Sequence, residues 1–353
     1  MHHLSLVTLL LLSFIFSQSA IAAARTTKSW KAICPVSGTP VLSSDVLDPD
    51  HLGSVVKRFW NPDGQEDLDS GETMGFNPKM TIEANYPTTY PWSARNAEQL
   101  SRLHPNRTGL YFREHVLNPM MYPWNAIGRV FFKRFRRDRG GWCTGSLVGR
   151  NLMLTASHCF PWGYGSSRWM RFVPGFHNDT EPYGSSYVSK CRGVKNTFNV
   201  TGIDYIICHL CKPLGDFTGW LGTKWWADDT PYMNRSWHSS GYPIDALQGK
   251  GQMLLSDIKL TEVDNHGTQG KELETHVFAS PGWSGGPMWD YIDGNPKIVG
   301  VCSGGEKDCS EQVGGCTGLE NTGNYHDVSA GGKLMTDLVL YGMANWEGRD
   351  SRV

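Results

Sequence analysis

From residue 122 onward the chain alternates short apolar runs with turn-forming residues. Residues 126–132, 152–155, 203–210 and 298–303 are apolar stretches of strand length, separated by glycine-rich or polar segments. Runs of this length joined by such loops predict an antiparallel sandwich or barrel. One helix is expected late in the chain, over 336–346, with Leu334, Leu338, Tyr341 and Trp346 as apolar anchors. Residues 25 to about 115 differ in kind. They are rich in Asp, Pro, Asn and Gly and keep no period of 2 or 3.6. Tyr90-Pro91-Trp92 recurs as Tyr122-Pro123-Trp124, which is too short to make a repeat.

Composition narrows the class. The 353 residues carry 33 Lys+Arg against 34 Asp+Glu, a net charge of −1 that argues against a nucleic-acid binder. Aromatics reach 12% and charged residues only 19%, the reverse of a disordered chain. At the start, an apolar run over 4–16 leads into the small residues Ala20-Ile21-Ala22-Ala23-Ala24. Although its first residues hold only His2 and His3 as basic groups, this reads as a secretory leader over 1–24. No later segment has 18 consecutive apolar residues, so no membrane span is expected. Export would place the nine cysteines in an oxidising compartment, where most should pair. Asn106, Asn178, Asn199 and Asn234 each open an N-x-S/T sequon, as exposed glycosylated loops would.

Three segments carry candidate chemistry. Leu152-Met153-Leu154-Thr155-Ala156-Ser157-His158-Cys159 ends a strand on an imidazole. Asp204 lies inside the apolar run Ile203-Asp204-Tyr205-Ile206-Ile207, where a carboxylate needs a partner because burying an unpaired charge is costly. Ser284 sits among glycines in Pro281-Gly282-Trp283-Ser284-Gly285-Gly286-Pro287. Each has a bland reading: a surface histidine, a turn aspartate, a loop serine.

Together, and in that chain order, the three segments resemble the chymotrypsin-fold (trypsin-like) serine proteases. Within them the similarity is to the glutamyl-endopeptidase-like branch of bacteria and fungi. It is carried by T-A-S-H-C at 155–159, G-W-S-G-G-P at 282–287, Y-P-W-N-A-I-G-R-V at 122–130, C-T-G-S-L-V-G at 143–149, P-L-G-D-F-T-G-W-L-G at 213–222 and G-Y-P at 241–243. The resemblance implies an all-β fold, two six-stranded antiparallel β-barrels with a C-terminal helix, over 116–353. A pro-region or N-terminal extension would occupy 25–115. It implies a secreted, extracellular serine endopeptidase with His158, Asp204 and Ser284 as catalytic residues. The N–H groups of Gly282 and Ser284 would form the oxyanion hole, and Cys143–Cys159 a disulfide. Substrate would meet Phe278, Ala279, Ser280 and Pro281 on one wall, Cys302, Ser303, Gly304 and Gly305 on a second, and 331–333 on a third. No acid falls on the first wall in sequence, which speaks against Lys or Arg specificity and for a bulky apolar residue. Lys333, if it reached the pocket floor, would restore acidic preference. Trp283 precedes the nucleophile and cannot pair with an N-terminal ammonium. A pro-region cut after Arg107 or Arg113 would therefore act by other means. Protein or peptide substrates are the expected partners, with no cofactor, no metal, no nucleic acid, no membrane and a monomeric state.

Other readings use the same residues. Gly282-Trp283-Ser284-Gly285-Gly286 also fits G-x-S-x-G, which would need a helix after Ser284 and acid and histidine downstream, such as Asp308 and His326. A non-catalytic protease homologue acting as a secreted binding module is the alternative of another class. Cys208-His209-Leu210-Cys211 has C-x-x-C spacing but no second ligand pair. On a strand its two cysteines face opposite ways, so separate disulfide partners are expected, Cys191 being a candidate for one. Cys34 is either the odd cysteine or a tether, and Cys309 and Cys316 bracket a loop they are placed to close.

Overall fold

The computed structural model describes residues 34, 42–47, 69–78, 89–91, 113–195, 202–267, 269–277, 279–307 and 325–347. The leader 1–24, the sequons at Asn106 and Asn199, and Phe278, Asp308, Cys309 and Cys316 fall outside them. Four strands come from the first third of the chain: β1 (Ser43–Leu47), β2 (Ser70–Thr73), β3 (Thr89–Pro91) and β4 (Arg113–Val116). Then follow β5 (Ile127–Lys133), β6 (Gly141–Leu147), β7 (Leu152–Thr155), β8 (Trp169–Pro174), β9 (Ser186–Val194) and β10 (Ile206–Leu210). The last group is β11 (Gly222–Trp226), β12 (Trp237–Gly241), β13 (Met253–Ile258), β14 (Glu262–His266), β15 (Gly270–Thr275), β16 (Pro287–Ile292), β17 (Asn295–Lys307) and β18 (Tyr325–Gly331).

Strands β5 to β10 close into a six-stranded antiparallel barrel in the order β9-β10-β7-β6-β5-β8, with β8 returning to β9. The nine-residue β9 makes closure possible. Its first residues pair with β8, and its last five are free on that side to take β1 in parallel. All four residues of β7 are buried, and so are all five of β10. The reason is that both faces are covered. Inward lies the barrel core, and outward lies the C-terminal helix Lys333–Gly342, where a Cβ added to Gly342 would stand 3.0 Å from Leu152 Cδ1. The helix begins three residues before the expected start at 336, and a wider turn over Met343–Glu347 continues it to the buried Trp346.

The second half is an antiparallel sheet, β14-β15-β18-β17-β16-β12-β13-β4-β3, with β11 beside β17 and β2 beside β11. The structure is thus mostly β, a closed barrel and a second antiparallel sheet with a C-terminal helix, as the chymotrypsin-like expectation has it. What the sequence pattern left shapeless, the early segments, is partly woven in. β1 joins the barrel, β2 and β4 join the second sheet, and Cys34 bonds to Cys211. Two further disulfides are present, Cys143–Cys159 and Cys191–Cys208. Cys208 and Cys211 therefore go to different partners, and the C-x-x-C chelate is excluded.

Candidate active site

His158 lies in a 3-10 turn, Ser157–Cys159, directly after β7. The turn is fixed from two sides: Ser157 Oγ donates to Val194 O on β9, and Cys159 is bonded to Cys143 on β6. Asp204 precedes β10, the barrel neighbour of β7, so antiparallel pairing brings the acid to the imidazole. His158 Nδ1 is 2.7 Å from Asp204 Oδ2, and the His158 backbone N–H donates to Oδ1 at 3.0 Å. Ser303 Oγ, from β17 of the second sheet, donates to Oδ2 at 2.6 Å. The carboxylate is 1% exposed, and these three donors engage both of its oxygens. A carboxylate only accepts, so the proton of a neutral imidazole must sit on Nδ1, leaving a lone pair on Nε2. The His158 side chain is 28% exposed, open enough for a substrate to reach it.

Ser284 is set by two linked turns. Trp283 N–H donates to Ser280 O at 3.0 Å, and Gly282 has φ +98°, which with Pro281 before it makes a type II turn over 280–283. Gly286 N–H then donates to Trp283 O at 2.8 Å, and Gly285 has φ +83°. Neither glycine has room for more. A Cβ on Gly282 would stand 2.5 Å from Tyr242 O, and one on Gly285 2.2 Å from Thr144 O. Behind the turns, Gly285 N–H donates to Cys302 O and Cys302 N–H to Gly286 O, both at 2.8 Å.

Thr144 joins the two halves. On β6, its N–H donates to Ser284 O at 2.8 Å and its hydroxyl to Gly282 O at 2.8 Å. The hydroxyl also accepts the Tyr242 N–H at 3.0 Å, while Thr155 Oγ1 donates to Thr144 O at 2.7 Å. Cys159 Sγ lies 3.8 Å from Ser284 O, and a ring nitrogen of His158 lies within 4.8 Å of both disulfide sulfurs. The structure therefore sets the serine backbone against the disulfide that carries the histidine. Ser284 Oγ and the imidazole are not hydrogen-bonded to each other. The Cys143, His158, Cys159 cluster is not a ready metal site, because its two sulfurs are bonded together. Close by, Trp142 Nε1 donates to Tyr242 O at 2.8 Å, and the buried Arg129 guanidinium stacks 4.0 Å from the Trp142 ring.

The other expected site residues are placed as follows. Ser280 Oγ donates to Asp245 Oδ1 at 2.5 Å, and Ala279 N–H donates to Asp327 Oδ2 at 2.7 Å. An acid thus reaches the first wall from β18, where the sequence showed none nearby. Cys302 is a buried free thiol, pushed well up from its ordinary pKa by burial and by Asp327 and Asp204. Ser303 turns its hydroxyl to Asp204, and Gly304 and Gly305 continue β17 opposite Val328 and Asp327. Lys333 does not point to a pocket floor. It pairs with Asp337 at 2.7 Å, one helical turn on, and lies over Trp225. The downstream histidine of the elbow reading, His326, faces Glu274 at 3.2 Å, and strand β16 rather than a helix follows Ser284. Asn178 and Asn234 are both exposed. Sequence reasoning missed Thr144, Asp245 and Asp327, whose contacts depend on how distant segments pair.

Comparison with known proteins adds independent findings. The sequence model of the trypsin family, described as "Trypsin", matches residues 122–324. Glutamyl endopeptidase of Bacillus licheniformis is 26% identical over 196 residues, 54% of this chain and 57% of that protein. Exfoliative toxin A of Staphylococcus aureus is 30% identical over 195 residues, 52% of this chain and 61% of that protein. The matches thus span about three-fifths of these relatives' own length. A solved structure of a Glu endopeptidase in complex with MPD superposes with a TM-score of 0.51 at 22% identity. It covers 66% of this chain and 96% of that one, a likeness of fold.

Proposed function

The chain belongs to the trypsin family of serine proteases, and from that premise we propose that it is a secreted endopeptidase acting through an acyl-enzyme on Ser284. Ser284 Oγ attacks the peptide carbonyl carbon while His158 Nε2 takes its proton. The carbonyl oxygen becomes an oxyanion, stabilised by the Gly282 and Ser284 N–H groups. Collapse breaks the C–N bond, and the His158 proton goes to the leaving amine. Water then repeats the sequence, with His158 as base, to release the acid and restore Ser284. Asp204 holds the Nδ1 proton and stabilises the imidazolium.

The observation that carries this reading is the buried Asp204 carboxylate, engaged by both nitrogens of His158 that can donate to it and by Ser303. That arrangement has no evident structural need for an imidazole at the rim of the site. Residues 1–24 would act as the leader, 25–115 as the extension and 116–353 as the catalytic region. Three disulfides and two exposed sequons suit an exported chain. Turnover of casein by the secreted protein and by Ser284→Ala tests it. The variant should remain folded and lose activity by a factor of about 10⁴ or more. Parental turnover in Ser284→Ala would refute the proposal.

A further inference from the structure

We propose that Arg113 is a positioning residue for the oxyanion turn: a buried cation, supplied by the N-terminal segment, that anchors Ser280–Trp283 through Asp245. The proposal rests on the hydrolytic role of Ser284 given above. Arg113 opens β4, which is paired on one side with β13 and on the other with β3. Its side chain is only 6% exposed. Nη1 donates to both carboxylate oxygens of Asp245, at 2.8 and 2.9 Å. Asp245 Oδ1 in turn accepts the Ser280 hydroxyl at 2.5 Å, and Ser280 is the first residue of the turn that bears Gly282. The same guanidinium lies 5.5 Å from the ring centroid of Trp283, the last residue of that turn. Trp283 is itself buried and donates from Nε1 to Ser239 Oγ at 2.9 Å. A backbone bond, Ile244 N–H to Pro281 O at 2.8 Å, ties the turn to the residue before Asp245.

Both ends of the turn are thus referred to one cation. This matters because a four-residue turn has two close alternatives. A type I turn over the same residues points the Pro281–Gly282 peptide the other way, and the Gly282 N–H goes with it. Without Arg113, the Asp245 carboxylate would be left poorly compensated beside the turn. It would then seek the turn's own N–H donors, and the type II form would lose its anchor. Cutting after Arg113 would also free the chain end in the middle of this contact. An activating cut therefore belongs upstream of Arg113, as at Arg107, and not after it.

The test is steady-state cleavage of a chromogenic peptide together with the rate of Ser284 labelling by a fluorophosphonate, on the full secreted chain. Arg113→Met should lower kcat and the labelling rate alike, by about 10- to 100-fold, with KM changed by less than about threefold. Arg113→Lys, which keeps the cation, should recover much of that loss. Parental kcat in Arg113→Met, a loss confined to KM, or Arg113→Lys as poor as Arg113→Met would overturn the proposal. If Arg113→Met fails to fold, Ser280→Ala decides, since it removes only the link from the turn to Asp245. It must lower kcat without raising KM, and parental kcat would overturn the proposal. A parent protein that does not label at Ser284 would instead sink the hydrolytic reading on which this rests.

Discussion

The first barrel and the second sheet hold their share of the site by different means. All three disulfides among the described residues anchor in or beside the barrel, and its six strands close on themselves. Among the described residues the second sheet is an open run of strands, and the free cysteine there, Cys302, is buried. It relies on ion pairs with a buried member: Lys297 with Glu72, Lys271 with Asp229, and Arg113 with Asp245. Two large tryptophans, Trp237 and Trp283, fill its own core, while Trp289 turns to the core it shares with the barrel. The barrel therefore presents His158 and Asp204 on a covalently stapled frame, while Ser284 stands on a turn of glycines held by hydrogen bonds. The difference predicts distinct weaknesses: the base pair should fail by losing one atom, and the nucleophile by losing a shape.

The largest effect should come from the single atom. Asp204→Asn keeps the packing but offers an amide where Nδ1 needs an acceptor, and kcat should fall by about 10⁴. Ser303→Ala, which removes one donor to the same carboxylate from across the cleft, should cost only about tenfold. Steady-state kinetics on both variants check this ordering. A shape change comes next. Gly282→Ala puts a Cβ against Tyr242 O at a φ that L residues avoid, so kcat should drop by about 10²- to 10³-fold.

These expectations also mark what the sequence could and could not say. His158, Asp204 and Ser284 could be singled out as candidates because each lies in a short local signal: a strand end, an acid in an apolar run, a serine among glycines. Three of the six barrel strands, β5, β7 and β10, were legible as short apolar runs. Their supports were not. Ser303 is 99 residues from Asp204 and Thr144 is 138 from Gly282, distances bridged only by pairing of strands. Lys333 shows the opposite error. Its position near the third wall suggested a pocket cation, but a helix begins there and Asp337 lies one turn along the same face. The segments at 43–47 and 70–73 had no period of their own because each borrows its order from a neighbouring strand, β9 or β11.

Stability should separate the halves further. Removing Cys143–Cys159, as the double serine variant, opens a loop of sequence separation 16 and should cost about 3 kcal/mol. Calorimetry should show a smaller loss for Cys302→Ala, which breaks no covalent link. Acid should act on the other half. His115 on β4 and His238 on β12 are both held below the ordinary histidine pKa of 6.5, chiefly by burial. Below that value the unfolded chain binds protons that the folded one resists, so stability falls as the pH drops from 6.5 toward their depressed values. Urea midpoints measured between pH 7.5 and 5.5 should decline, and less steeply in His238→Asn. The smallest effect concerns specificity. With the Asp327 carboxylate engaged by Ala279 N–H, a peptide library should be cut after bulky apolar residues. A preference for Lys or Arg would mean that this carboxylate faces the substrate instead.

The most direct test of the two-part site is covalent. Incubating the secreted protein with a fluorophosphonate and mapping the adduct by mass spectrometry reads the nucleophile and its base together. One adduct per chain is expected, on Ser284, formed at least about 10³-fold more slowly in His158→Ala and Asp204→Asn. An adduct elsewhere, or labelling of Ser284 at the parental rate without His158, would contradict the account.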